Sequence, residues 1–120
     1  MTKKEKALQL KHSGYNCCQA VILAFAEETG IDEQTLKTLG AGFGAGMGCM
    51  EGNCGALVGA VIVDNLINSR RNSASARQIL AEFKNKCGAV RCADLKGIAT
   101  GKVLCSCDIC VMNAVSIIDK

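Results

Sequence analysis

Apolar residues recur along this chain at three- and four-residue spacing, and no stretch alternates with a period of two, so the pattern predicts helices and no sheet. Thr2 and Glu5 form a capping box for a short first helix that runs through Ala7, Leu8 and Lys11 to Ser13 and Gly14. Asn16 and Gln19 form a second. They open a strong helix from Cys17 to Thr29, through Val21, Leu23 and Phe25, closed by Gly30 in the C′ position. Asp32 caps a third helix through Leu36 and Leu39. Asn53 is the expected cap of a fourth, Cys54 to about Asn68, which is apolar almost all round until Asp64. Its pairs Gly55/Gly59 and Ala56/Ala60 leave faces on which a neighbour can come close. A polar loop is expected over residues 69–73. Ser75 with Gln78 then opens a fifth helix through Ile79, Leu80 and Phe83, ending at Gly88. A short turn from Cys92 to Leu95 and a last helix from Cys107 to Ile118 complete the chain. The expected architecture is all-α: residues 1–120 as one compact domain, a bundle of five to six helices.

Between the third and fourth helices glycine occupies every second position from Gly40 to Gly48. The G-x-G-x-x-G spacing of a dinucleotide site is absent, no strand precedes the segment, and no acidic residue follows at the right distance. The glycines are expected instead to let the backbone turn freely and approach another element closely.

Composition sharpens this picture. The chain has 120 residues, nine cysteines, thirteen glycines, no proline and no tryptophan, and its net charge is only +3. No basic block with interleaved aromatic residues occurs, so nucleic acid is not an expected partner. The N-terminus has no apolar core of a signal peptide. The longest apolar run, Ala56 to Val63, falls far short of the roughly 20 residues of a membrane span. No membrane insertion is expected, and the expected location is the cytoplasm. Thiols stay reduced there, and dense cysteine then points to metal binding or redox work. His12 is expected to face solvent, with no partner for acid–base chemistry, and Met47, Met50 and Met112 to fill the core. No catalytic residue is assigned, and enzyme status is left open.

Placed on the predicted helices, four cysteines share one position. Cys17, Cys54, Cys92 and Cys107 each fall at a helix start, in four separate elements. Free N–H groups and the helix dipole favour negative charge there by about 0.3–1 kcal/mol. Such a thiol is expected to have a lowered pKa, and the thiolate is the form that binds metal or attacks a disulfide. If the four starts converge, they make a pocket of thiolates suited to an iron–sulfur cluster, its wall formed by Gly48, Gly52 and Gly55 along the Gly40–Gly48 and Gly52–Gly55 segments. Other pairings stand beside this. Cys49/Cys54 and Cys87/Cys92 are C-x4-C pairs, and Cys107/Cys110 is a CxxC at a helix start, so reversible thiol pairs are a second expectation. Zinc also takes four thiolates, although its ligands usually come in close C-x2-4-C pairs, which only Cys105/Cys107/Cys110 approaches.

These residues resemble a known family. Gly14-Tyr15-Asn16-Cys17, Gln19-Ala20-Val21, Gly42-Phe43-Gly44, Gly46-Met47-Gly48 and Cys54-Gly55-Ala56 with Gly59 look like the C_GCAxxG_C_C family of redox-active bacterial proteins, defined by four cysteines. Cys92-Ala-Asp-Leu-Lys-Gly97 is similar to its third cysteine segment, and Cys107 with Val111 and Ala114 to its fourth, where Cys110 could also stand. The resemblance covers about residues 3–118 and implies a compact helical domain related to one found beside haem domains in split-Soret cytochromes, with an associated iron–sulfur site. No C-x-x-C-H occurs, so covalent haem is not implied, and five further cysteines depart from the minimal pattern. The expectation is a redox-active protein with an iron–sulfur cluster on Cys17, Cys54, Cys92 and Cys107, for electron transfer or redox sensing. A thiol–disulfide oxidoreductase and a zinc-stabilised interaction module are the alternatives, the former needing no cofactor. An unidentified redox partner protein is expected, and a homodimer would cover the apolar surface that a core poor in aromatics leaves open.

Overall fold

Helix signals and their caps account for nearly the whole computed structural model, which describes residues 1–68, 72–98 and 100–119. Among these residues there are eight α-helices and no strand: α1 Lys3–His12, α2 Cys17–Ala24, α3 Ala26–Thr29, α4 Glu33–Gly40, α5 Gly55–Ile67, α6 Ser73–Cys87, α7 Cys92–Lys96 and α8 Cys107–Ile118. Both capping boxes form. Thr2 accepts from the Glu5 amide, Asn16 accepts from the Gln19 amide, and each N3 side chain reaches back to its cap. Asp32 caps α4 through the Thr35 amide, and Gly30 and Gly88 end α3 and α6 in the left-handed conformation.

The helix count therefore exceeds the five to six expected, and some boundaries shift. The single helix expected from Cys17 to Thr29 breaks at Phe25 (φ −107°, ψ 20°), which gives α2 and α3. Asn53 does not cap α5. It bridges to Arg91, and Cys54 itself takes the cap position. Helix α6 begins at Ser73 under an Asn72 cap, three residues before the expected cap Ser75. The loop expected over residues 69–73 lies outside the described residues at positions 69–71.

Helix α2 is the centre of the bundle, with α1, α4, α5 and α8 packed against it. Seven of its eight residues are buried. The small residues of α5 make this contact close: a Cβ on Gly59 would lie 3.0 Å from the Cys18 carbonyl and 3.1 Å from Val21 Cβ. Phe25 and Phe83 are the largest buried side chains, and the rest of the core is aliphatic residues and cysteine. Asp64, the one acid in α5, accepts from Asn68 through Oδ1 at 3.1 Å, while its buried Oδ2 has no partner among the described residues. Among the described residues no helix is long and apolar enough to cross a membrane.

Candidate functional site: a cavity lined by four cysteines

The starts of α2, α5, α7 and α8 face one cavity of about 390 Å³, lined by Cys17, Cys54, Cys92 and Cys107. Lys11, Asn16, Ala45, Met50 and Lys96 complete its wall. Cys17, Cys92 and Cys107 are the first residues of their helices, and Cys54 is the cap of α5.

Local backbone bonds explain why these starts stay together. The Cys54 amide donates to the Val90 carbonyl at 2.7 Å, and the Cys92 amide to the Gly52 carbonyl at 3.0 Å, which ties α5 to α7. Asn16 does more than cap α2, since its amide group donates to the Gly40 and Ala41 carbonyls at 3.2 Å each and holds the glycine segment against Cys17. That segment then enters a wide π-type turn, Gly46–Met50; three non-glycine residues, the cap Ala45 and Met47 and Met50 within the turn, take positive φ (52°, 62°, 65°). Such backbone costs on the order of 1–3 kcal/mol per residue and collects at functional sites. Here the strained turn borders the cavity, since Ala45 and Met50 both line it.

Of the expected glycine wall, Gly55 is the closest packed: a Cβ there would lie 2.6 Å from Cys17 Sγ. Gly52 contributes through its carbonyl. Gly48 is different, since a Cβ on it would meet nothing within 4 Å. The close approach falls instead on Gly46, at φ +57°, where a Cβ would be 2.6 Å from Cys92 Cβ. The methionines also differ from core filler, as Met50 lines the cavity and Met47 is 60% exposed. His12 is exposed but has a partner, Asp108 Oδ2 at 2.8 Å, which joins the end of α1 to the first turn of α8.

The electrostatics reverse the expected sign for Cys17, Cys54 and Cys92. The Cys17 thiol is pushed far up, first by its hydrogen bond to Cys54 and then by burial, and the Ala45 and Cys18 N–H groups offset only part of this. Cys54 is pushed up to about 11, chiefly by its bond to Cys110, and burial raises Cys92. Burial also pushes Cys18 up to about 12. Helix-start donors are present, yet thiol crowding and desolvation outweigh the modest dipole effect. All nine cysteines are free thiols. Lys96 is the counterweight: burial lowers its pKa, but the negative charge of Cys110, Cys107 and Cys54 outweighs that and raises it.

A grouping not visible in the sequence lies behind the cavity. Cys87, Cys105 and Cys110 have their sulfurs all within 4.8 Å of one another and are buried, so this cluster could hold a metal. Among the described residues no three of the cavity cysteines close to that distance. A file of thiol contacts joins the two groups, from Cys17 to Cys54, on to Cys110, then Cys105 and Cys87. The C-x4-C and CxxC spacings had paired these residues otherwise. Cys107 and Cys110 fall into different groups, as do Cys87 and Cys92, while Cys49 is exposed in the π-type turn. Only the packing of α6 on α8 brings Cys87 to Cys110, and neither helix carries a local signal of it.

Residues 15–120 match the family described as "Putative redox-active protein (C_GCAxxG_C_C)". The chain belongs to the C_GCAxxG_C_C family. No curated protein and no solved structure matches it. The matched span begins just before Cys17 and takes in all four cavity cysteines and the buried trio, so both thiol groups of this C_GCAxxG_C_C protein lie inside the region that defines its membership.

Proposed function

We propose that this protein holds an iron–sulfur cluster on Cys17, Cys54, Cys92 and Cys107 and acts in electron transfer or redox sensing. The observation that carries the reading is that these four thiols, from four separate elements, line one cavity. The donor set fits such a group. Four thiolates are its usual ligands, and 390 Å³ greatly exceeds the about 10–15 Å³ that one water needs. Among the described residues no three of these sulfurs lie within 4.8 Å of one another, which favours a polynuclear group over one zinc ion, whose ligands sit at about 2.3 Å.

A bound cluster supplies a redox couple whose potential follows net charge and hydrogen bonding to sulfur. The chain's own groups serve that purpose. Backbone N–H groups of Ala45 and Cys18 favour the charged form of Cys17, and that of Ala56 the charged form of Cys54. Lys96 and Lys11 bring positive charge to the cavity. Binding would displace the protons that crowding holds on the thiols. The same protonation weighs against thiol–disulfide exchange by Cys54 or Cys92, because attack needs a thiolate. The cytoplasm is the compartment that keeps these thiols reduced, and a redox partner protein would exchange electrons at the cavity.

Anaerobic purification tests the reading. A brown protein with visible charge-transfer absorption, iron and acid-labile sulfide is expected. A colourless protein that stays free of iron and sulfide after reconstitution would end it.

A further inference from the structure

We propose that Cys87, Cys105 and Cys110 form a second, separate centre that takes one thiophilic closed-shell cation in three-coordinate geometry, with cuprous copper as its occupant. This inference does not depend on the cluster assigned to the cavity.

The three sulfurs come from three elements and meet in the core. Cys87 is the last residue of α6, Cys110 lies in the first turns of α8, and Cys105 precedes α8 in a loop whose Leu104 and Cys105 amides both donate to the Leu95 carbonyl, at 2.9 and 3.2 Å. The exposures of Cys87, Cys105 and Cys110 are 4%, 6% and 0%. A metal–thiolate bond of about 2.3 Å in a trigonal plane sets sulfurs about 4 Å apart, inside the 4.8 Å that bounds this trio.

Core packing alone would explain one buried cysteine, which behaves as a small hydrophobe. It does not explain two polar side chains aimed at the sulfurs. Asn113 donates its amide N–H to Cys87 Sγ at 3.3 Å. The half-buried Lys96 ammonium lies 3.8 Å from Cys110 Sγ and 3.4 Å from the Cys105 carbonyl. Placing a cation and an amide donor against thiols in the core is costly unless the sulfurs carry negative charge. Donors to ligand sulfur are what an outer shell around a metal provides.

The coordination number selects the ion. Among the described residues no histidine, carboxylate or fourth thiol joins the group within 4.8 Å, although Cys54 interacts with Cys110 from the cavity side. Zinc would need a fourth ligand, and burial leaves little room for water. Soft thiolates select cuprous copper, which is content with three. On binding, thiol protons leave to solvent and no electron is transferred.

The test uses the full chain under anaerobic conditions, titrated with Cu(I) against a chromogenic Cu(I) chelator. One tightly held Cu(I) per chain is expected, with a single shell of three sulfurs by X-ray absorption. Cys105→Ser should lose that site while Cys92→Ser keeps it, and helicity measured by circular dichroism confirms folding. Asn113→Leu, which leaves all ligands in place, should weaken binding about 10- to 100-fold. The proposal is overturned if the chain holds no Cu(I) that Cys105→Ser lacks, if Cys92→Ser abolishes the same site, if Asn113→Leu binds like wild type, or if the trio instead takes zinc with a fourth ligand.

Discussion

Gly55→Ala adds one methyl group directly against the cavity cysteine Cys17. The new Cβ would lie 2.6 Å from Cys17 Sγ and 2.7 Å from the Phe43 carbonyl oxygen, whereas ordinary contact begins at 3.4 Å. Either neighbour must therefore move by about 0.7–0.8 Å. The carbonyl belongs to the backbone and cannot swing aside, so the strain falls on Cys17 and on the seam between α2 and α5. Overpacking of this kind costs about 1–3 kcal/mol. Alanine's better helix propensity returns some of that, and less at a first helical residue than in the interior value of about 0.5–1 kcal/mol. A net loss of about 1–2 kcal/mol is expected in urea denaturation of the metal-free protein. Gly42→Ala is the control, since a Cβ there meets nothing within 4 Å; its effect should stay within about 0.5 kcal/mol. Reconstitution gives an independent readout, because displaced Cys17 sulfur should leave Gly55→Ala with less iron per chain than Gly42→Ala. Wild-type stability together with a full iron complement in Gly55→Ala would refute the account of the wall.

Asn16→Ala removes the α2 cap and two bonds to the glycine segment, and should cost about 2 kcal/mol in the same denaturation assay. Lys96→Gln removes a positive charge beside Cys107 and Cys110, so a redox titration of the reconstituted protein should find its potential lowered, on the order of tens of millivolts. An unchanged potential would mean that Lys96 does not feel the cluster. For Cys18 and Cys54 the folded pKa values are raised from 9.0 to about 12 and about 11, so the folded thiols keep protons that the unfolded chain loses. Their contribution is fully present below pH 9 and is lost as pH rises from there through 11 to 12. The unfolding free energy of the metal-free protein should accordingly be flat across neutral pH and fall above pH 9; a rise there would contradict the assignment.

Much of the fold could be read from caps, because capping is a local property. Thr2, Asn16, Asp32, Gly30 and Gly88 each act where the sequence places them. The misplacements have tertiary causes. Asn53 resembles an N-cap but is drawn into a bridge with Arg91, and that shift makes Cys54 the cap. The helix-start position of the four cavity cysteines was legible for the same local reason, whereas the pKa direction of Cys17, Cys54 and Cys92 was not. That direction depends on which thiols meet in space, and the Cys17–Cys54 and Cys54–Cys110 contacts span helices remote in sequence. The Cys87/Cys105/Cys110 group was hidden because C-x4-C and CxxC spacings suggest partners within one segment, while the packing of α6 on α8 supplies a partner from another.

The most direct test of the cluster assignment is iron and acid-labile sulfide per chain in a set of anaerobically reconstituted Cys→Ser variants. Cys17→Ser, Cys54→Ser, Cys92→Ser and Cys107→Ser should each lose most of both, while Cys49→Ser and Cys105→Ser keep the wild-type content. Loss that falls instead on Cys105→Ser, with Cys17→Ser and Cys92→Ser unaffected, would contradict it.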